Sequence, residues 1–447
     1  MRRLDQVVVC LVAVALVATM AIAGCAGPAP AGTPKAPAAQ PITLTIWGGY
    51  PELEPFYKHV AQAYTAEHPN VKIEILTHPL REFEQKLSAT IPSDTAADLI
   101  EISMYANQKF IEAGLIPELP ANVKAYMEEK GRFSEFMHNN STYKGKKYGL
   151  PLFMGRTVLY WNTEMFKEAG LSGPPETMAQ MAEYAKKLAK FDASNNMTRS
   201  GHSLRLSGQG SGVAEKWWFV LYPMGGSIVE ESKATPGKYH AGYNNDAGRN
   251  ALKYYIDALY KDNWDSHSLK HDAEAFELEQ TAMFFRESWV IGDIAKKAPD
   301  LKYDTAPVPK DARWGRITNP VNLYVTRGCK NPEAAWDLAM YMLKPEHLLW
   351  LLDNVGWLPC RQDVDYTPVT SKKPQFAAFM MTDANYQEYG YPVIAPFDEI
   401  STKLAERLVA AFLDKSLADN SAGIAKAIED AAKETDDILK KADLYAD

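Results

Sequence analysis

Only two stretches of this 447-residue chain space their residues as chemistry would need. Gly208-Gln209-Gly210-Ser211-Gly212 has the glycines of a phosphate cradle. It lacks the Lys-Ser/Thr of a P-loop and the spacing of a dinucleotide turn, so it reads as a flexible loop at a rim. His267 and His271 stand four apart, with Asp265, Asp272 and Glu274 nearby, a spacing that can share a metal on a helix. Asp265-Ser266-His267-Ser268 reads as loop, however, and no HExxH is present. There is no Gly-x-Ser-x-Gly elbow and no cysteine–histidine signature. Paired carboxylates that could hydrolyse a glycoside are defined in space and not by spacing along a chain. No reaction is specified, and the expectation is a protein without catalytic residues, metal or cofactor.

The aromatic residues are more informative. The chain has ten Trp and 23 Tyr, several beside Gly and outside helical stripes, as in Trp47-Gly48-Gly49-Tyr50 and Gly356-Trp357; Trp289, after Ser288, also stands outside an obvious stripe. An aromatic in a helical stripe is core, whereas one beside turn residues at a strand end belongs at a cleft rim.

The elements that must position these residues follow from periodicity. Ile42 to Trp47, Val71 to Ile75 and Asp98 to Ile102 read as strands. Leu53 to Ala66 and Phe83 to Ile91 have helical spacing between them. Strand and helix alternating at these lengths give an α/β unit with a largely parallel sheet. A second α/β set is expected from residue 156 onward: a strand at 156–162, two helices within 163–190, a strand at Ser203–Leu206 and helices at 214–224, 246–261 and 273–280. Short strands are expected at Tyr303–Val308 and Leu323–Thr326. Helices start at Pro332 and Pro345, where proline is tolerated in the first turn. One long amphipathic helix is expected for the tail from Ile400 to Ala446.

Size and charge narrow the class. About 400 residues follow the N-terminal segment, more than one core sustains, so two lobes are expected. The formal net charge of −8 argues against nucleic acid as a partner. At the N-terminus, Arg2-Arg3, an apolar run from Val7 to Ile22 and small residues at Ala23-Gly24 make a secretory signal. The run of about 16 residues is short of the roughly 20 that cross a bilayer. Cys25 after Ala-Gly resembles the lipidated cysteine of bacterial lipoproteins. Residues 26–41, almost all Ala, Pro, Gly, Thr and Gln, read as a tether. The expected location is therefore outside the cytoplasm: exported and lipid-anchored to the outer face of the bacterial cytoplasmic membrane. In the body only Cys329 and Cys360 remain, and an exported protein could hold them as two free thiols or one disulfide.

One ordered set of motifs carries a resemblance. Lys144-Gly145-Lys146-Lys147-Tyr148-Gly149-Leu150-Pro151, Leu159-Tyr160-Trp161-Asn162, Met165-Phe166-Lys167-Glu168-Ala169-Gly170-Leu171 and Pro174-Pro175-Glu176-Thr177 are similar to the extracellular solute-binding proteins (family 1) of ABC-type sugar importers. Phe276 to Met283, Arg286-Glu287-Ser288-Trp289, Glu333 to Glu346 and Gly356 to Arg361 agree in order. Glu279 and Glu287 stand where that family has glycines, and Met178 where it has Trp. The resemblance implies a two-lobed periplasmic-binding-protein fold, each lobe a mostly parallel sheet flanked by helices, with the ligand cleft between lobes. Lobe 1 would comprise residues 42–152 and 307–358, and lobe 2 residues 153–306 and 359–447, after a signal peptide at 1–24 and the lipidated tether at 25–41. It implies a monomer without catalysis that captures a mono- or oligosaccharide and hands it to two permease subunits. The rival readings are the same fold binding a polyol phosphate or polyamine, and a cell-surface polysaccharide hydrolase. Strand ends and crossings then nominate Trp47, Tyr50, Glu52, Tyr105, Phe153, Arg156, Trp218, Trp289, Asn322, Trp357 and Arg361 as ligand contacts. Their rings would cover sugar C–H faces and their polar groups would bond hydroxyls.

Overall fold

A computed structural model of the chain describes residues 40–446. The signal, Cys25 and most of the tether lie outside the described residues. The body from Pro41 to Asp447 is one compact unit.

Ten strands carry the architecture: β1 (Ile42–Gly48), β2 (Val71–Thr77), β3 (Leu99–Ser103), β4 (Leu150–Arg156), β5 (Val158–Asn162), β6 (Met283–Arg286), β7 (Tyr303–Ala306), β8 (Gly315–Val325), β9 (Leu358–Pro359) and β10 (Gln387–Gly390). The large sheet runs β9-β4-β8-β3-β1-β2, with β10 also on β8. β1 pairs in parallel with β2 and β3, as alternating strand and helix require, but β8 is antiparallel to both β3 and β4. The small sheet, β6-β5-β7, is antiparallel throughout. The parallel character expected of both sheets is therefore confined to the large sheet, in β2-β1-β3 and in the pairing of β10 with β8. β4 runs into β5 through the single residue Thr157, so the chain passes from sheet to sheet without a loop.

Both faces of each sheet are buried. On β3, Ile100 and Ile102 enter one apolar core while Leu99 enters the other; on β5, Leu159 enters the first, and Val158 and Tyr160 the second. The period-2 alternation of side chains distributes each strand between the two cores. Twelve helices cover these faces: α1 (Glu54–Glu67), α2 (Leu80–Thr90), α3 (Met104–Glu112), α4 (Thr163–Glu168), α5 (Met178–Leu188), α6 (Gly212–Leu221), α7 (Asp246–Ile256), α8 (Trp289–Lys297), α9 (Pro332–Met342), α10 (Pro345–Asn354), α11 (Phe397–Leu413) and α12 (Ser421–Lys441). Among the described residues no helix is long and apolar enough to cross a membrane.

Several local expectations change. Ser203–Leu206 is a buried loop, because its amides bond elsewhere: Ser203 N donates to Met283 O and Leu204 N to Asp265 Oδ2 at 2.8 Å. The strand expected at 323–326 is eleven residues long and begins at Gly315. A register shift at Val321/Asn322 accommodates Pro320 within β8. The tail breaks into α11 and α12 around 414–420, where the Asn420 side chain accepts from Gly423 N and starts a new helix. Glu279, at a glycine position of the resembled family, keeps the left-handed backbone of a glycine, with φ 56°.

Cys329 and Cys360 are free thiols. Cys360 N bonds Leu152 O, next to the β9 pairing of Pro359 with Phe153, whereas Cys329 lies beyond the far end of β8. β9 and β8 flank β4, so two strand spacings, roughly 10 Å, separate them. A disulfide needs Cα atoms within about 7 Å.

Candidate functional site

The cleft is built from the turn after β1. Glu101 on β3 accepts the Gly49 amide at 2.7 Å, and a Cβ on Gly49 would stand 2.7 Å from Phe83. Only glycine fits there, and the chain turns at once into the short helix Pro51–Leu53. That turn aims Tyr50 and Glu52 into a cavity of about 490 Å³. Buried without a cation of its own, the Glu101 carboxyl is held well above its ordinary range.

Aromatic rings form one wall. Trp357, following α10, stands edge-on to Tyr50 with centroids 5.5 Å apart, and Trp289 at the start of α8 lies 6.5 Å from Trp357 at 35°. The Trp357 indole N–H donates to Glu52 Oε1 at 3.2 Å, which fixes the ring's orientation. Burial raises the Glu52 carboxyl above its usual value. Tyr105 and Tyr391 stack at 4.9 Å on another part of the wall.

The facing wall is charged. Arg81 on α2 bonds Glu84 and Glu215, each at 2.8 Å, and Glu215 sits on α6, so this pair bridges elements 134 residues apart. Lys216 Nζ bonds Glu287 Oε1 at 2.7 Å, and Arg286 reaches Asp272 at 3.0 Å and Glu287 at 3.3 Å. Burial alone would raise the Glu287 carboxyl, but Lys216 and Arg286 pull it down to about 2. Arg205, Gln209 and Asn319 complete the lining, with Asn319 Nδ2 donating to Ser103 Oγ at 3.0 Å.

Of the eleven residues nominated from sequence, the cavity wall gathers Tyr50, Glu52, Tyr105, Trp289 and Trp357. The other six lie elsewhere. Trp47 packs on the first core beneath the Lys86 ammonium, 4.1 Å from its ring centre. Phe153 is fully buried behind Tyr50 and Trp357. Arg156 pairs with Glu388 at 2.6 Å and donates to the Phe379 carbonyl. Trp218 is the buried face of α6, against Tyr389, Tyr391 and Phe397. Asn322 is buried on β8, donating to Tyr324 Oη and the Asn140 carbonyl. Arg361 is tied to Asp363 and the Leu343 carbonyl. Sequence reasoning missed Arg81, Arg205, Lys216, Arg286 and their carboxylates, because charged residues, on the helices α2 and α6 as in the loop at 203–206 and at the end of β6, read as solvated. The glycine run at 208–212, which passes beside them, was the signal available. His267 and His271 do not converge: one approaches the Phe412 carbonyl and the other Ser207.

A cavity between two sheets, aromatic on one side and polar on the other, fits the holding of a small polar solute. Known proteins agree at the level of family and fold. The family described as bacterial extracellular solute-binding protein matches residues 59–378. A Brucella abortus relative named only for a binding role is 24% identical over 411 residues, 90% of this chain and 93% of its own length. The diacetylchitobiose binding protein of Streptomyces coelicolor is 23% identical over 332 residues, 72% and 73% of the two chains. Among solved structures, an ABC transporter solute binding protein of Thermotoga lettingae, bound with alpha-D-tagatose, superposes with a TM-score of 0.74 at 22% identity, covering 89% of this chain and 99% of its own. The chain thus belongs to the bacterial extracellular solute-binding proteins.

Proposed function

We propose that this protein is the substrate-binding lipoprotein of an ABC importer, capturing a mono- or oligosaccharide between its two sheets and delivering it to the permease without catalysis. The observation that carries the reading is the pairing of Tyr50, Trp289 and Trp357 with a charged and amide-lined facing wall around one cavity. A sugar presents apolar C–H faces and a rim of hydroxyls, and such a cavity meets both. The relatives named for saccharides support the same ligand class. Export, the lipid on Cys25, the monomeric state and docking on two permease subunits belong to this reading. So does the division into residues 42–152 with 307–358 and residues 153–306 with 359–447, and the location on the outer face of the cytoplasmic membrane. Affinity of order micromolar, about −8 kcal/mol, suits capture and release.

A thermal-shift screen of the body from Pro41 against neutral and acidic sugars tests it. Ligand that binds only the folded state raises Tm. A rise with saccharides is expected; a rise with amines or phosphate esters and none with any saccharide overturns the sugar reading and leaves the family assignment standing.

A further inference from the structure

We infer that the saccharide taken by this cavity carries a carboxylate, and that Arg205 is the specificity-determining residue that selects it. The inference rests on the sugar-binding reading above and narrows it to uronic-acid-type ligands.

One cation of the charged wall is loosely partnered. Arg205, Lys216 and Arg286 lie against Asp272 and Glu287, and Glu215 also acts on Lys216 and Arg286. Lys216 and Arg286 take both carboxylates at 2.7 to 3.3 Å. Arg205 reaches Asp272 only at 3.6 Å, beyond a hydrogen bond, and its buried Nε has no hydrogen-bond acceptor among the described residues. Its side chain is 27% exposed and lines the cavity. A guanidinium carries five donors and keeps its charge at any ordinary pH. Leaving such donors unmatched in a part-buried site is costly, so the missing acceptor is expected on the ligand.

The glycine run explains how this arginine is held. A Cβ on Gly208 would stand 3.2 Å from Arg205 Nη2, and one on Gly212 3.3 Å from its Cζ. The guanidinium therefore lies directly against loop backbone, and side chains at those positions would push it aside. Gly210 packs in the same way on Arg81, so the loop stands between the two arginines. Arg81 has its own carboxylates, Glu84 and Glu215, and Ser211 Oγ also donates to Glu215 at 2.6 Å. Burial pushes Glu84 up to about 7, which trims that corner's negative charge. The other titratable groups nearby include His271, beside Ser207, Glu82, Tyr105 and Tyr391 on the cavity lining, and Glu52, on the opposite wall with Trp357.

A planar carboxylate matches the guanidinium fork with two parallel bonds, which a hydroxyl cannot do.

Calorimetric titration of the body from Pro41 with galacturonate, glucuronate and their di- and trisaccharides, each beside its neutral counterpart, tests the inference. The acidic member of a pair should bind at least about tenfold tighter, a difference of about 1.4 kcal/mol. Arg205→Gln should bring that ratio close to one. Arg205→Lys, which keeps the charge and loses the fork, should retain only part of it and serves if the first variant does not fold. Neutral saccharides binding as tightly as acidic ones, or an undiminished preference in the Arg205 variants, overturns the inference while the sugar reading stands. Binding of phosphate esters or amines with no saccharide bound at all overturns both.

Discussion

Trp357 is only 4% exposed and belongs to an apolar core as well as to the cavity wall, whereas Trp289 is partly buried at the start of α8. Truncating the two rings should therefore have different consequences. Trp289→Ala should cost about 1–3 kcal/mol of ligand affinity, because ring area that excluded water is lost, with little change in the urea midpoint. Trp357→Ala should lose affinity and also about 3–5 kcal/mol of stability, the range for deleting a buried aromatic. Titration calorimetry with the ligand found in the screen, paired with urea unfolding, separates them; a Trp289→Ala protein that binds like wild type removes that ring from the site. Asp265 gives a pH dependence away from the cleft. It is buried, accepts from Leu204 N and Ser266 N, and burial pushes its carboxyl up to about 7 from 3.8. The folded body thus holds this proton more tightly than the unfolded chain. The stabilisation is complete below about pH 4 and is lost as pH rises through 7. Asp265→Asn is neutral throughout, so the wild-type urea midpoint should fall relative to the variant between pH 4.5 and 7.5. A constant gap across that range would contradict the raised carboxyl.

The element that presents Trp357 depends on one close approach. A Cβ on Gly292 in α8 would stand 2.3 Å from the Val355 carbonyl oxygen, and Gly356 itself turns with φ 93°. Helix α8 and the turn after α10 therefore touch backbone to backbone, and that contact sets where Trp289 and Trp357 meet. Gly292→Ala must push the turn outward, at a cost of about 1–3 kcal/mol for overpacking. Stability and ligand affinity should fall together, read by urea unfolding and calorimetry; affinity kept at a lowered stability would mean the turn does not position the ring. Elements were legible where pattern and punctuation agreed, as in β1 with α1, or α9 and α10 with proline in the first turn. They were misread where a tertiary partner overrode local signals. Asn319-Pro320 continues a strand because a bulge absorbs the proline, and Ser203–Leu206 never pairs as a strand because Asp265 takes the Leu204 amide.

For the whole molecule, two free thiols are the expected state. Thiol titration of the denatured, unreduced body should count two, and a count of zero would mean a bridge that this strand order forbids. Cys25→Ala should release the exported protein from the membrane or leave its signal uncut. Equal fatty-acid labelling of variant and wild type in cells would refute the anchor. The contact between Arg81 on α2 and Glu215 on α6 joins two elements 134 residues apart at the charged wall. Glu215→Gln should weaken it and enlarge the unliganded body in solution scattering, and an unchanged scattering radius would show that the pair does not hold the cleft closed.

The sequence alone determined what depends on neighbours along the chain: the alternating strands and helices of the first α/β unit, the tether composition, and the ordered motifs shared with solute-binding proteins. It also picked out Tyr50, Glu52 and Trp357, because glycines at a strand end and before a crossing mark a rim. The tertiary structure decided which aromatic lines the cavity and which faces core. Each sheet is buried on both faces, so periodicity separates two cores but cannot separate a core from a cleft. It also decided the charged wall. Arg81 meets Glu215 across 134 residues and Trp357 meets Glu52 across 305. Such pairs form only when distant elements pack, and the energy of an ion pair depends on burial and on partners that no local spacing encodes.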